Sequence, residues 1–371
     1  MTKKTRLSFS SISVDPARHA SQGVAGGPTR NTTPARNDSD RDSSRHNVEN
    51  RDKTPDKKRS TKSSTYQYSK FGKGQGKGGR LSFNGKSQHK NVIENKIPEI
   101  EAGVVRVIPL GGVEEVGRNM VLVESENDII VLDVGFHFID EEEAMGADFT
   151  LPNFKYLEDR KHKIRAVVIT HGHLDHIGGI PYIIDRIGNP PIYGQFLTTL
   201  MIKKRQEEFV GSKPLDLRVV DENTKIKFNQ LSIGFFPVFH SIPDSMGVIV
   251  GTPYGNIIAS GDMKLEHEAG KPTPKEEKKW EGLGKEKNLL LIADSTNAEV
   301  QGFSIEEREV QKNIEEIIRT TKGRLIIGTF ASQFDRMIKI VEICEKFNKK
   351  IVIEGRSMKN NVEIAKLAGL L

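Results

Sequence analysis

The sequence predicts an α/β layered domain that follows a long basic tail and leads into a second α/β unit. Residues 1–100 are rich in Ser, Thr, Asn, Gly, Arg and Lys, and their few aliphatic residues form no periodic pattern. From Val104 onward, short apolar runs alternate with Gly and charged turns, a pattern typical of successive β-strands. Towards the C-terminus, strand-like runs alternate with helical patterns. We therefore expect a tail over 1–100, a first folded domain over 101–304 and a second over 305–371.

The tail is predicted to be disordered. It contains 21 Lys and Arg residues against 9 Asp and Glu residues and so carries a charge of +12, whereas the whole chain carries +6. A segment with so little apolar surface cannot offset the entropy cost of ordering. In residues 66–90, Tyr and Phe alternate with Lys, Arg and Gly, a composition that attracts phosphates and stacks on unpaired bases. Two interpretations stay open: a tail that binds nucleic acid, or a solvated linker.

The apolar runs of the folded part predict its elements in order. Strands are predicted at VVRVIPLGG, NMVLVES, DIIVLDVG, IRAVVIT (164–170), LSIGFFPVFH, MGVIVGT, GNIIASGD, NLLLIADS and GRLIIGTF. Helices are predicted at IGGIPYIIDRIG (177–188), IEEREVQKNIEEIIRTT (305–321) and SQFDRMIKIVEICEKFN (332–348). A strand-rich first part followed by alternating helix and strand is typical of the layered α/β class.

Composition excludes several protein classes. No run approaches the roughly 20 apolar residues that span a membrane, and no apolar signal-peptide core follows Met1. Cys344 is the single cysteine of the chain, which excludes an intramolecular disulfide and indicates a reducing compartment. We therefore expect a cytoplasmic protein without a membrane partner.

The segment THGHLDHIGG (170–179) concentrates three histidines and one aspartate in a turn directly after a predicted strand. Imidazole nitrogens and carboxylate oxygens are the ligands that Zn²⁺ prefers in catalytic sites. Two ions about 4 Å apart can turn water into a hydroxide nucleophile and stabilise charge on a phosphoryl oxygen. The alternative is a structural histidine cluster, which would gather polar groups at a strand end with no metal to balance them.

Seven segments together resemble the ribonuclease J family, in the beta-CASP branch of the metallo-β-lactamase superfamily. They are IPLGGVEEVGRNM (108–120), LDVG (132–135), THGHLDHIGGIPY (170–182), FHSIPDS (239–245), SGDMK (260–264), ADSTNAE (293–299) and GRSM (355–358). The HGHLDH run alone matches only the HxHxDH signature of the superfamily, whereas the set is more specific. The resemblance implies a metallo-β-lactamase αββα sandwich with a partial α/β beta-CASP domain, and it does not extend to the basic tail.

The resemblance also implies a site with two metal ions. It assigns one ion to His171, His173 and His240, the other to Asp175 and His176, and a bridging position to Asp262. Asp175, His176 and Asp262 are the expected catalytic residues. The implied ions are Zn²⁺, with Mn²⁺ or Mg²⁺ as alternatives.

Further residues are expected to support this site. Asp133 is expected to orient a ligand histidine through its other ring nitrogen, or else to be a turn-closing aspartate. Four residues near predicted strand ends offer hydroxyl and guanidinium donors for phosphate oxygens; otherwise they are surface residues or helix caps. These four are Ser332, Arg336, Arg356 and Ser357.

The implied function is that of a metal-dependent ribonuclease of RNA maturation and decay, cleaving single-stranded RNA internally and from the 5′ end, with homo-oligomers possible for the full-length parent. The sequence stops at Leu371, before the family's later SGH motif and its last ligand histidine. We therefore expect a truncated chain that cleaves RNA barely. The alternatives are a catalytically impaired RNA-binding fragment, a DNA-processing nuclease and a small-molecule hydrolase of the same fold.

Overall fold

The computed structural model describes residues 97–139 and 146–371 of the protein, so the predicted tail lies outside the described residues except for positions 97–100. The strands are β1 (Arg106–Gly111), β2 (Met120–Glu124), β3 (Ile129–Leu132), β4 (His137–Phe138), β5 (Phe149–Thr150), β6 (Ile164–Val168), β7 (Ile192–Gly194), β8 (Leu217–Val219), β9 (Ile226–Lys227), β10 (Ser232–Pro237), β11 (Met246–Thr252), β12 (Gly255–Ala259), β13 (His267–Glu268), β14 (Lys271–Pro272) and β15 (Asn288–Ile292). The helices are α1 (Lys155–Glu158), α2 (Leu174–Ile177), α3 (Ile180–Ile183), α4 (Phe196–Gln206), α5 (Pro274–Gly284), α6 (Glu307–Thr320), α7 (Phe334–Lys346) and α8 (Arg356–Leu367), with a 3₁₀ turn at Lys161–Lys163.

Two mixed sheets form the centre of the described structure. The first has six strands in the order β1-β2-β3-β6-β7-β8, and the second has five in the order β15-β12-β11-β10-β9. In the first sheet, β3, β6, β7 and β8 are mutually parallel, whereas β1, β2 and β3 pair antiparallel. In the second, only the pairing of β12 with β15 is parallel.

The core lies in three layers because the central strands are apolar on both faces. In β3, Ile130 and Leu132 pack between the two sheets, whereas Ile129 and Val131 face helices on the outer side. This follows from the two-residue period of a strand, which sends neighbouring side chains to opposite faces. The outer layer on the first sheet includes Ile183 of α3. On the second sheet, Trp280 of α5 covers the outer face.

Helices α6, α7 and α8 form a helical part that follows the two sheets, as the apolar periodicity predicts for the first two helices. Phe334 and Val341 of α7 and Val362 of α8 share a buried cluster with Leu197 of α4. The second part is therefore packed directly on a helix of the first. No helix within the described ranges is both long and apolar enough to cross a membrane.

Two predicted elements differ in the structure. The helix expected over 177–188 is limited to the four-residue α3, and Ile177 instead ends the preceding α2, with Gly178 and Gly179 between the two helices. A Cβ on Gly178 would lie 2.3 Å from the ring of Phe136, so the chain bends where only glycine fits. The strand expected over 323–330 does not form, because no strand in the described part pairs with it to take up its backbone hydrogen bonds.

Replacing Phe334 with alanine is expected to lower the free energy of unfolding by about 3–5 kcal/mol. The ring is fully buried at the junction of α4, α7 and α8, so its loss leaves a cavity there. Urea unfolding followed by circular dichroism measures the change. Phe330→Ala is the matched control, because the ring of Phe330 is 58% exposed and should contribute no more than about 0.5 kcal/mol. Equal losses in the two variants would contradict the assigned packing.

Candidate metal centre

Three strand ends meet at one edge of the sandwich and carry the candidate ligands. His171 follows β6, His240 follows β10 and Asp262 follows β12. Strands β10 and β12 both pair antiparallel with β11, so they run in the same direction and end at the same edge. The backbone N–H of Met246 donates to the carbonyl of Thr170 over 3.1 Å, which joins the end of β6 to this edge.

The turn that holds the histidines lies close to its neighbours at two glycines, Gly135 and Gly172. A Cβ on Gly135 would lie 1.6 Å from the carbonyl oxygen of Asp175. A Cβ on Gly172 would lie 2.4 Å from Sδ of Met201. Glycine at these positions therefore lets the turn approach the first sheet and α4 closely, which fixes where the histidine side chains start.

Three histidines converge on one point at this edge. His171 Nε2 lies 2.9 Å from His173 Nδ1, and His240 Nε2 lies 3.3 Å from the same atom. Asp262 Oδ2 is 3.9 Å from His171 Nε2 and 3.8 Å from His240 Nε2. One ligand atom of each residue lies within 4.8 Å of the others. We call these four residues the three-histidine cluster.

A second cluster adjoins the first and shares Asp262 with it. His176 Nε2 lies 3.2 Å from Asp175 Oδ2 and 3.3 Å from Asp262 Oδ1. One ligand atom of each of these residues again lies within 4.8 Å of the others. We call Asp175, His176 and Asp262 the second cluster. The structure thus brings together all six residues that the sequence nominates as ligands, with one oxygen of Asp262 facing each cluster.

In a ligand histidine, a hydrogen bond can fix the hydrogen on the ring nitrogen that faces away from the cluster. The other ring nitrogen then directs a lone pair into the cluster. His176 Nδ1 lies 2.9 Å from Asp133 Oδ2, and because a carboxylate only accepts, Nδ1 carries the hydrogen. In the neutral ring, Nε2 then directs a lone pair at the carboxylates of Asp175 and Asp262. These groups repel one another unless a positive charge lies among them.

A hydrogen bond also fixes the tautomer of His173 in the three-histidine cluster. His173 Nε2 donates to the carbonyl of Ser332 over 3.0 Å, so the Nδ1 of a neutral His173 directs its lone pair at the other two rings. Nitrogen lone pairs and a carboxylate oxygen that converge in this way are the donor set of a catalytic zinc site. The residues present therefore fit a metal ion in each cluster.

The protonation states favour the same conclusion. Burial lowers the pKa of His171 well below its ordinary value and lowers that of His240 to about 4, so both rings are neutral at pH 7. Burial alone would also lower the pKa of His176, but the carboxylates of Asp133 and Asp175 raise it well above its ordinary value. Burial would raise the pKa of Asp175, but charge on His176 and its hydrogen bond lower it to about 2. A positive charge is therefore favoured in the second cluster.

Asp133 lies beneath the second cluster, where the predicted orienting role requires it. Its Oδ1 accepts the backbone N–H of Thr170 over 2.8 Å, and its Oδ2 accepts the Thr170 hydroxyl over 3.0 Å. Oδ2 also accepts from His176. The backbone of Asp133 is left-handed, with φ of +60°, a conformation that Asp and Asn adopt more readily than most other residues.

The four predicted phosphate contacts occupy different places. Ser332 contacts His173 through its backbone carbonyl, and its side chain is exposed. Arg336 donates to both carboxylate oxygens of Glu307 over 3.0 and 2.6 Å. Arg356 and Ser357 are exposed at the start of α8. Within the described ranges, neither of these last two side chains contacts the clusters.

A cavity of about 410 Å³ adjoins the three-histidine cluster at His240. It lies between the strand ends of the first domain and helices α6 and α7, and its walls include Lys264, Arg308 and Arg336. The backbone N–H of Lys264 donates to the carbonyl of Phe239 over 2.7 Å, which holds Lys264 beside the cluster. Lys264 and Arg308 form no ion pair with another described residue, and neither do Glu266 and Asp335 in the same wall, so the cavity presents unpaired groups of both charges.

Comparison with family models completes the assignment. Residues 113–300, about half of the chain, match the model of the metallo-beta-lactamase superfamily. The chain belongs to the metallo-β-lactamase superfamily. Residues 322–371 match the model "Ribonuclease J, beta-CASP domain", so this metallo-β-lactamase protein is ribonuclease J-like and carries beta-CASP sequence. The predicted fold class is confirmed.

The relatives are proteins of greater length than this chain. Ribonuclease J of Mycoplasma pneumoniae is 37% identical over 267 residues, which cover 72% of this chain and 46% of that protein. Ribonuclease J of Thermus thermophilus is 39% identical over 279 residues, which cover 72% of this chain and 48% of that protein. The chain therefore spans about half the length of these curated relatives. A protein of unknown function from Enterococcus faecalis shares the fold, with a TM-score of 0.50 and 17% identity over 68% of this chain and 70% of that one.

One residue at the centre was missed by the sequence reasoning. Asn119 is the penultimate residue of the segment IPLGGVEEVGRNM, which indicates the family resemblance and gives this residue no role of its own. Its side-chain nitrogen lies 3.3 Å from Asp175 Oδ2 and 3.2 Å from His176 Nε2. Nothing in its spacing signals this contact, because it depends on β2 lying next to β3 in the sheet.

Proposed function

We propose that the chain provides the metal centre of a ribonuclease that hydrolyses phosphodiester bonds in single-stranded RNA, both internally and from a 5′ end. The observation that carries the proposal is the pair of adjoining clusters that share Asp262, each with lone pairs directed inward. The relatives named Ribonuclease J support RNA as the substrate. Zinc is the proposed ion, since the donor set is of nitrogen and carboxylate oxygen.

Each of the two proposed metal ions is assigned its own set of ligand residues. His171, His173 and His240 would hold one ion, and Asp175 with His176 the other, with Asp262 between them. Two such ions would activate water and stabilise charge that develops on a phosphoryl oxygen. Because the histidines and aspartates are fixed by burial and hydrogen bonds, they need little reorganisation during the reaction, which is how preorganised sites lower barriers.

The adjoining cavity supports a nucleic-acid substrate. Its volume of about 410 Å³ is in the range of small-ligand pockets, with room for a nucleotide unit. Lys264 and Arg308 would offer positive charge to phosphates of the substrate. Contacts to phosphates fix the register of a nucleic acid without reading its sequence. Arg336 would join them only after leaving Glu307.

The test uses labelled single-stranded RNA and DNA of one sequence, incubated with the protein in zinc, in manganese or in a chelator. The proposal expects weak cleavage of RNA that needs metal and that falls below detection in Asp175→Ala. Asp185→Ala is the control, because Asp185 is an exposed surface residue and should leave cleavage unchanged. Cleavage of DNA in preference to RNA, or equal cleavage in chelator, would contradict the proposal.

A second candidate is binding of RNA without hydrolysis. Two observations favour it: the second cluster contains a single imidazole, and Arg336 is occupied by Glu307. In the same assay this candidate predicts a metal-dependent shift of RNA mobility with no product. Product formation that Asp175→Ala abolishes would exclude it.

A further inference from the structure

Asn119 is the residue outside the predicted ligand set that contacts the second cluster from the opposite side to Asp133. Its side-chain Nδ2 donates to the backbone carbonyl of Asp175 over 3.2 Å and to Oδ2 of the same residue over 3.3 Å. It also lies 3.2 Å from His176 Nε2. The backbone N–H of Asn119 donates to the Asp175 carbonyl as well, over 3.2 Å. One asparagine therefore holds both the main chain and the carboxylate of Asp175.

The orientation of the amide follows from its surroundings. The two atoms that decide it are the backbone carbonyl oxygen and Oδ2 of Asp175, which only accept. An amide oxygen in this position would meet acceptors alone, whereas the NH₂ group can donate to them. The amide group is thus fixed with its donors facing the second cluster.

Contacts of the loop that carries Asn119 hold its side chain beside the second cluster. A Cβ on Gly112 would lie 2.4 Å from Oδ1 of Asn119, and Gly112 has φ of +80°, so glycine alone fits against the amide. Glu115 accepts the backbone N–H of Gly112 over 2.9 Å and binds Arg118. The backbone carbonyl of Asn119 accepts from Gly135 over 2.9 Å. These contacts leave the side chain little freedom to turn away.

A neutral donor is suited to this position. A lysine or arginine here would satisfy the carboxylate but would place a fixed positive charge where the donor set favours a metal ion. An aliphatic side chain would leave Asp175 free to rotate. The neutral amide orients one carboxylate oxygen of Asp175 through a hydrogen bond and adds no positive charge that would repel a metal ion.

We propose that Asn119 is a positioning residue, which holds Asp175 and His176 in the geometry that binds the ion of the second cluster. This role rests on the proposal that the two clusters bind metal. Because Asn119 contacts neither His171 nor His240 through any described hydrogen bond, its effect is confined to one of the two ions.

The experiment is a calorimetric zinc titration of the metal-free protein, with zinc content after dialysis as a second readout. Asn119→Ala and Asn119→Leu both remove the donor, and leucine keeps nearly the same side-chain volume. Each is expected to weaken binding in the second cluster about 10- to 100-fold, the typical cost of losing an outer hydrogen-bond partner, while the three-histidine cluster binds as before. His176→Ala identifies which binding event belongs to the second cluster.

Asn229→Ala is the matched control. Its Nδ2 donates over 2.7 Å to the carboxylate of Asp128, the same type of bond, so its loss tests stability alone and should leave both binding events unchanged. Two wild-type-like binding events in the folded Asn119 variants would overturn the positioning role while leaving the metal proposal intact. A wild-type protein that binds no zinc would overturn both proposals. Equal weakening of both events would also overturn the positioning role, since it would indicate a general structural effect.

Discussion

Replacing Asp262 with alanine is expected to weaken both bound metal ions, whereas loss of any other single ligand weakens mainly one. Its Oδ1 lies 3.3 Å from His176 Nε2 in the second cluster, and its Oδ2 lies 3.8 Å from His240 Nε2 in the three-histidine cluster. Removing the carboxylate takes one oxygen ligand from each cluster. The two clusters then no longer share an anionic ligand. The loss should exceed the roughly 10- to 100-fold that outer partners cost. RNA cleavage should be lost with the metal.

Zinc content after dialysis, compared with a calorimetric titration, measures this effect. The expected series is one firmly held ion and a second, more weakly held one for the wild-type protein, fewer than one for Asp262→Ala, and about one for His176→Ala, which leaves the three-histidine cluster complete. Asp185→Ala should behave as wild type, because this surface carboxylate pairs only with Lys213 at 3.6 Å. An Asp262→Ala protein that still holds two ions would show that the carboxylate is not shared.

The sequence predicts well those site residues that lie close together along the chain. His171, His173, Asp175 and His176 lie in one turn, so their spacing alone signals a metal site. His240 and Asp262 come from distant strands, and their place at the same edge depends on the order β12-β11-β10, which no local pattern contains. The resemblance to a family assigns these two residues as ligands, and their positions at the ends of predicted strands agree with that assignment.

Contacts between distant segments account for what the sequence did not predict. Asn119 touches Asp175 only because β2 lies beside β3, and the pairing of Arg336 with Glu307 depends on how α6 packs on α7. The fold class was predictable because apolar runs such as β3 are buried on both faces. The strand expected over 323–330 failed for the converse reason, since an apolar run forms a strand only where a neighbour pairs with it.

Replacing Asp133 with asparagine is expected to weaken the ion of the second cluster about 10- to 100-fold without disturbing the fold. Asparagine is isosteric with aspartate and tolerates the left-handed backbone at this position, where φ is +60°. Its oxygen can still accept the backbone N–H of Thr170, which binds Oδ1 over 2.8 Å. Its NH₂ group would then face His176 Nδ1 in place of Oδ2, which lies 2.9 Å from that nitrogen.

Because an NH₂ group donates, the substitution favours the His176 tautomer whose hydrogen is on Nε2, the nitrogen that faces Asp175 and Asp262. That hydrogen lies where the lone pair must meet the metal ion, so binding must first reverse the tautomer. Zinc titration of Asp133→Asn should therefore show a weakened second event beside an unchanged first one. Asp128→Asn is the control, because this buried carboxylate binds Arg165 over 2.8 Å and should affect stability alone. If Asp133→Asn bound both ions as wild type does, the tautomer of His176 would not depend on Asp133.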